Sequence, residues 1–105
     1  MIKYYERTRE VWPELVRLQL HATLVPFLCE TLLNTIGYAN VLQYHIRISS
    51  DNYWYDPNTA TLYLAGPTMS IHDIIHEVAH HWALNHDKEH FMAMALLVEL
   101  YKERR

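Results

Sequence analysis

Ser70-Ile-His-Asp-Ile-Ile-His-Glu-Val-Ala-His-His-Trp-Ala-Leu-Asn-His-Asp-Lys-Glu-His-Phe91 sets the frame in which the rest of the chain is read. Ser70 followed three residues later by Asp73 fits a capping box, so a helix is expected to start there. It should run to about Ala83 or Leu84, where Asn85 best tolerates a left-handed end. With His76 set at 0° and roughly 100° per residue, Ile71, Ile74, Ile75, Val78 and Trp82 fall at roughly 160–260°. His72, Asp73, His76, Glu77 and His80 fall between roughly −40° and 100°. One face is therefore expected to be core, and the other a cluster of imidazoles and carboxylates.

Within this stretch His76-Glu-Val-Ala-His80 is an HExxH sequence. Residues four apart on a helix lie one turn above each other, so both imidazoles face one spot. Glu77 is rotated by ~100° and stays on the same flank. There it can hold a water on a bound zinc ion without ligating the metal. Zinc lowers the pKa of that water to ~7, and the carboxylate takes its proton as it attacks a carbonyl. A solvated helix face would more simply use Lys and Glu than this many histidines.

A catalytic zinc takes a third protein ligand. His86 is the expected one, with His90 and Glu99 as rivals. On a straight helix His86 would lie roughly 240° from His80, on the wrong side, so the chain must turn between them. The rival Glu99 sits with Lys88, Lys102 and Glu103 on the polar side of the last helix, opposite Phe91, Met94, Leu97 and Val98. His90 falls on the apolar side.

Outward from this segment, Asp87 can cap a last helix running to about Glu103. The middle third reads as three strands: Val41, Tyr44, Ile46 and Ile48, then Tyr53-Trp-Tyr55, then Ala60-Thr-Leu-Tyr-Leu-Ala65. Ser49-Ser-Asp-Asn52 is turn material, and Asp56-Pro-Asn-Thr59 predicts a hairpin between the last two strands. Gly66-Pro67 stops the third. The first third reads as helix. Pro13 suits a first helical turn. Val11, Leu15, Leu18 and Ala22 follow at helical spacing. Pro26 predicts a break near His21–Val25. A second stretch, Phe27 to Ile36, should end at Gly37 as an αL cap.

These elements predict one α+β domain over residues 1–105: N-terminal helices, a small three-stranded sheet, the HExxH helix and a C-terminal helix. The length of 105 residues leaves no room for a second domain. With half the chain hydrophobic and a fifth charged, it is expected to fold rather than stay disordered. A net charge of −3 speaks against a broadly basic nucleic-acid binder. No apolar run reaches the ~18 residues of a membrane span, and the opening Met1-Ile-Lys-Tyr-Tyr-Glu-Arg lacks a signal-peptide core. The single cysteine, Cys29, excludes an internal disulfide framework and fits a reducing, cytoplasmic setting. Only Gly37 and Gly66 occur, so glycine-rich phosphate loops are excluded. Six of the eight histidines lie between His72 and His90.

The run from His76 through His86, followed by Asp87-Lys-Glu-His-Phe91, resembles the zincin metallopeptidases, in particular SprT-like and related minimal zincins. The resemblance covers residues 53–104. It implies that His76, His80 and His86 bind Zn2+ and that Glu77 is the general base. It also implies that the strand around Leu62–Leu64 lines the cleft and pairs with an extended peptide or flexible protein substrate. Where the SprT pattern has His-Gly this chain has His86-Asp87. The His76-to-His86 spacing is also that of metzincins, whose central glycine is Ala83 here. Glu89-His-Phe-Met-Ala is similar to small repressor-cleaving proteases whose third ligand is a downstream acidic residue. The expected function is zinc-dependent peptide hydrolysis; the alternative is a zinc-bearing regulatory or interaction module whose site does not turn over.

Other residues take plainer expected roles. His72 is a helix-start histidine bonded to Asp73 or water, Asp73 part of the cap, and His81 points away from the metal face. Tyr101, Tyr63 and His90 are candidates to stabilise an oxyanion. Trp12, Trp54 and Trp82 should pack, and Cys29 should be an inert core residue.

Overall fold

The computed structural model describes residues 3–35, 45–48, 54–56, 58, 61–64, 66–80, 82–83 and 85–104. It is a small α+β domain. Helix α1 spans Tyr4–Val11 and α2 spans Pro13–Arg17, with Pro13 at the first helical position as expected. Strand β1 follows at Gln19–His21, then a 3-10 turn at Ala22–Leu24 and helix α3 at Val25–Thr35. Strands β2 (His45–Ile48), β3 (Trp54–Asp56), β4 (Thr61–Leu64) and β5 (Thr68–Ser70) lead to helix α4 at Ile71–Ala79 and helix α5 at Lys88–Arg104.

The expectation of one three-stranded sheet needs correction, because the β structure is five short strands in two sheets. β3 and β4 pair antiparallel, Tyr55 opposite Leu62, while β2 runs parallel to β4 on its other side, so the strand around Leu62–Leu64, expected to pair with a substrate, already has a neighbour on each edge. The unexpected sheet pairs β1 with β5 antiparallel, Leu20 opposite Met69. The helix expected to continue through Leu18 and Ala22 stops at Arg17 for the same reason. The carbonyl of Leu18 accepts from the Ile71 N–H (2.9 Å), and the Ala22 N–H donates to the Pro67 carbonyl (2.8 Å). Long-range ladder bonds thus override a weak local helical preference. The break expected near His21–Val25 is the 3-10 turn, where the Thr23 N–H bonds His21 Nδ1 at 3.2 Å. Gly37, Val41, Tyr44, the turn at 49–52 and His81 lie outside the described residues.

Helix α4 is the centre of the molecule. Ser70 ends β5 and caps α4, its Oγ accepting from the Asp73 N–H at 3.1 Å. All nine residues of α4 are buried, the polar face included. Ile74, Ile75 and Val78 join Leu15, Cys29 and Leu97 in one core. Asp87 caps α5, its Oδ1 accepting from the N–H groups of Glu89 (3.1 Å) and His90 (3.3 Å). Trp12 stacks on Phe91 with centroids 5.2 Å apart, tying the α1–α2 corner to α5. Cys29 is fully buried, and burial pushes its thiol pKa up to about 12, as expected of an inert core residue. Among the described residues no helix is long and apolar enough to cross a membrane.

Candidate metal centre

The helix carrying His76 ends earlier than the sequence suggests. α4 stops at Ala79 instead of continuing to Ala83 or Leu84. His80 is its C-cap, and its backbone N–H bonds the carbonyl of Glu77 at 3.1 Å. Its side chain helps hold the turn, with Nδ1 2.9 Å from the carbonyl oxygen of Ala83. A carbonyl only accepts, so Nδ1 carries the proton and Nε2 is left with its lone pair. The return of the chain therefore begins at His80 itself. It brings His86, in the bend before α5, back beside α4.

The result is a group of three imidazoles. His76, His80 and His86 each offer one nitrogen, and these nitrogens lie within 4.8 Å of one another. His80 Nε2 and His86 Nε2 are 3.1 Å apart. Because His80 Nε2 bears a lone pair, the proton between them belongs to His86, and a bound cation would replace it. His76 is the most buried of the three, at 5% exposure. Its Nδ1 is buried with no hydrogen-bond partner among the described residues. Buried polar atoms of that kind are uncommon, and a neutral imidazole keeps one nitrogen lone pair that a metal ion can take up. Burial, reinforced by His90 and His80, lowers the His76 pKa to about 3. Burial lowers that of His80 as well, against the bond to Ala83. Both rings are thus neutral near pH 7, the form that binds metals. These three residues fit a metal ion.

Glu77 follows His76 on α4 and is 8% exposed. The rival third ligands are not in the group. His90 is fully buried with both nitrogens engaged: Nε2 donates to the carbonyl of His76 at 2.9 Å, and Nδ1 accepts from the Tyr4 hydroxyl at 2.6 Å. Glu99 is exposed on α5.

His72, fully buried, binds Asp73 as expected, with Nδ1 3.2 Å from Oδ1. Its Nε2 lies 2.9 Å from the hydroxyl of Thr8. Asp73 also accepts from the Tyr5 hydroxyl at 2.6 Å. Burial pushes the Asp73 pKa up, but the bonds from His72 and Tyr5 outweigh it and hold the carboxyl below its ordinary value.

Sequence reasoning, which read the first third as helix, missed that α1 lies against the histidines. The Tyr4 ring lies parallel to His86, and the Tyr5 ring meets His76 edge-on with centroids 5.8 Å apart. Of the tyrosines singled out from sequence, Tyr101 lines an apolar groove with Leu24 and Phe27, and Tyr63 lies on β4 opposite Trp54. Tyr4 and Tyr5 are separated from the histidines they meet by some seventy to ninety residues, and no local pattern announces such a contact. The chain matches no protein-family model, and no curated protein or solved structure is significantly similar to it.

Proposed function

We propose that this chain is a zinc-dependent metallopeptidase of minimal zincin type, acting on extended or flexible peptide segments. The observation that supports this reading is the convergence of His76, His80 and His86 next to the buried Glu77. Neutral imidazoles suit zinc, and three protein ligands are the set of catalytic rather than closed structural zinc sites. The His80–His86 separation of 3.1 Å is near the roughly 3.3 Å edge of a tetrahedron with Zn–N of roughly 2.0–2.1 Å. Bound there, zinc would supply a Lewis acid that polarises a peptide carbonyl and acidifies water. Glu77 is the general base: its carboxylate takes a proton from the attacking water and passes it to the leaving amine. An open groove of about 650 Å³, lined by Tyr4, Arg7, Asp87 and Phe91 among others but not by the three histidines, lies beside Tyr4, whose ring stacks on His86. It falls within the roughly 300–1,000 Å³ range of ligand pockets.

One observation favours the second reading, a zinc-bearing regulatory module with a latent site. Tyr4 and Tyr5 lie against His86 and His76, and Glu77 is only 8% exposed, so little room is open to a substrate beside the base. The deciding experiment uses the full chain purified without a polyhistidine tag. Elemental analysis should give one zinc per chain, and the wild type should cleave members of a library of peptides and unfolded proteins. Zinc without cleavage would favour the regulatory reading; no zinc uptake would dismiss both.

A further inference from the structure

We propose that Tyr4 is a positioning residue for the metal ligand His86: its ring clamps the imidazole by stacking, and His90 anchors its phenol. The inference rests on the metal-centre reading above and concerns how the third ligand is held. The three imidazoles are not equally constrained. His76 is buried within α4, and His80 is oriented by the bond from Nδ1 to the Ala83 carbonyl. His86 is exposed and sits in a bend between helices. An exposed side chain there would otherwise exchange between rotamers, and ordering it on metal binding would cost entropy.

Tyr4 removes that freedom. Its ring lies over His86 with centroids 5.3 Å apart and planes inclined by 6°, within the range of offset stacking. The Tyr4 hydroxyl donates to His90 Nδ1 at 2.6 Å. His90 is fully buried, its own ring fixed by the Nε2–H bond to the His76 carbonyl at 2.9 Å. A continuous link therefore runs from the backbone of the buried ligand His76 through His90 and Tyr4 to the ring of the exposed ligand His86. Each partner comes from a different element: α4, α5, α1 and the bend. Tyr4 itself is only half-buried, so filling the core is not its main contribution.

The test reads metal affinity and ligand geometry, with no reference to turnover. Zinc affinity by competition with a chromophoric chelator should fall on the order of 10–100-fold in Tyr4→Leu, the usual cost of losing a residue that orients a ligand. Tyr4→Phe, which keeps the ring and loses the hydroxyl, should lie between wild type and Tyr4→Leu. The visible spectrum of the cobalt-substituted protein should change in Tyr4→Leu and be largely restored in Tyr4→Phe. In the metal-free wild type, stacking should shift the His86 ring protons upfield, and Tyr4→Leu should abolish the shift. If Tyr4→Leu does not fold, the wild-type shift and the Tyr4→Phe affinity decide. An absent shift, or wild-type affinity and cobalt spectrum in every folded variant, would overturn the positioning role while leaving the metal centre standing. A wild type that takes up no zinc would overturn both.

Discussion

His90 on α5 donates its Nε2 proton to the backbone carbonyl of His76 on α4, at 2.9 Å. α4 ends at Ala79, and the His80 N–H bonds the Glu77 carbonyl instead of that of His76. The His76 carbonyl is thus one of the acceptors that a helix end leaves over, and a buried imidazole from the next helix fills the vacancy. The same bond fixes the tautomer of His90 and engages its second nitrogen with Tyr4. This explains why a histidine so close to the metal group is not itself a donor.

Replacing His90 by leucine keeps the volume and removes both bonds. It leaves the His76 carbonyl and the Tyr4 hydroxyl without their partner. A buried group left unsatisfied costs about 1–3 kcal/mol. The melting temperature of His90→Leu should fall by roughly 4–8 °C for each kcal/mol lost. Zinc stoichiometry should remain one per chain. Loss of the metal with unchanged stability would instead make His90 a ligand.

Metal uptake distinguishes the third ligand. His86→Ala should lose most bound zinc, whereas Glu99→Ala, altered at an exposed position on α5, should retain it. The site joins α4 to the bend before α5, so the ion should also stabilise the fold by linkage. Proven removal by a chelator should lower the melting temperature by several degrees on the scale of small domains. An unchanged melting curve would place the site outside the cooperative fold.

Much of this centre was legible in the sequence because it is local. The Ser70 cap, the His76–His80 spacing on one helical face and the Asp87 cap all follow from patterns within four residues. The β3–β4 hairpin announced itself through Asp56-Pro-Asn-Thr59, and its Asp56 side chain accepts from the Asn58 N–H at 3.0 Å. What stayed hidden depends on distant partners. β1 and β5 are three residues each, too short to display an alternation, and Leu18 and Ala22 share helical spacing with Leu15. The end of α4 lies in Ala79-His-His-Trp-Ala-Leu84, which carries neither glycine nor proline. The bonds of His80 to Ala83 and of His90 to His76 mark it instead. Tyr4 and Tyr5 lie in a polar opening segment whose partners sit on the other side of the chain.

Acid should destabilise the metal-free protein in a defined direction. Burial, with the neighbouring His90 and His80, lowers the His76 pKa to about 3; burial lowers that of His90 to about 4. An unfolded histidine titrates near ~6.5. Between these values the unfolded chain binds protons that the folded chain does not, so stability rises with pH. The contribution is complete above roughly pH 6.5 and is lost as pH falls toward 4 and then 3. Asp73, whose carboxyl is held below its ordinary value, acts in the same sense at the acid end. In the presence of chelator the urea midpoint should drop steadily below pH 6.5, and His90→Leu should show a shallower drop between 6.5 and 4. A midpoint that rises on acidification would contradict neutral buried imidazoles.

Glu77 separates catalysis from mere metal binding. It follows His76 on α4 and is buried, and it is not one of the three histidines that could hold a metal ion. A structural zinc site is closed by its ligands alone, whereas hydrolysis needs a base to take the proton of the attacking water. Glu77→Gln preserves size and hydrogen-bonding capacity but cannot accept that proton. It should keep one zinc per chain and a melting temperature close to wild type, while cleavage of flexible protein falls on the order of 10²–10⁴-fold. Unfolded proteins are the appropriate substrate, because an extended segment can reach a site that Tyr4 and Tyr5 partly cover. Truncating Tyr5, which lies against His76 and is 36% exposed, gives the complementary measurement. If α1 restricts entry, Tyr5→Ala should raise cleavage at low substrate concentration while leaving zinc stoichiometry unchanged. Equal cleavage by wild type and Glu77→Gln would remove Glu77 from the chemistry and leave the histidines as a binding site alone.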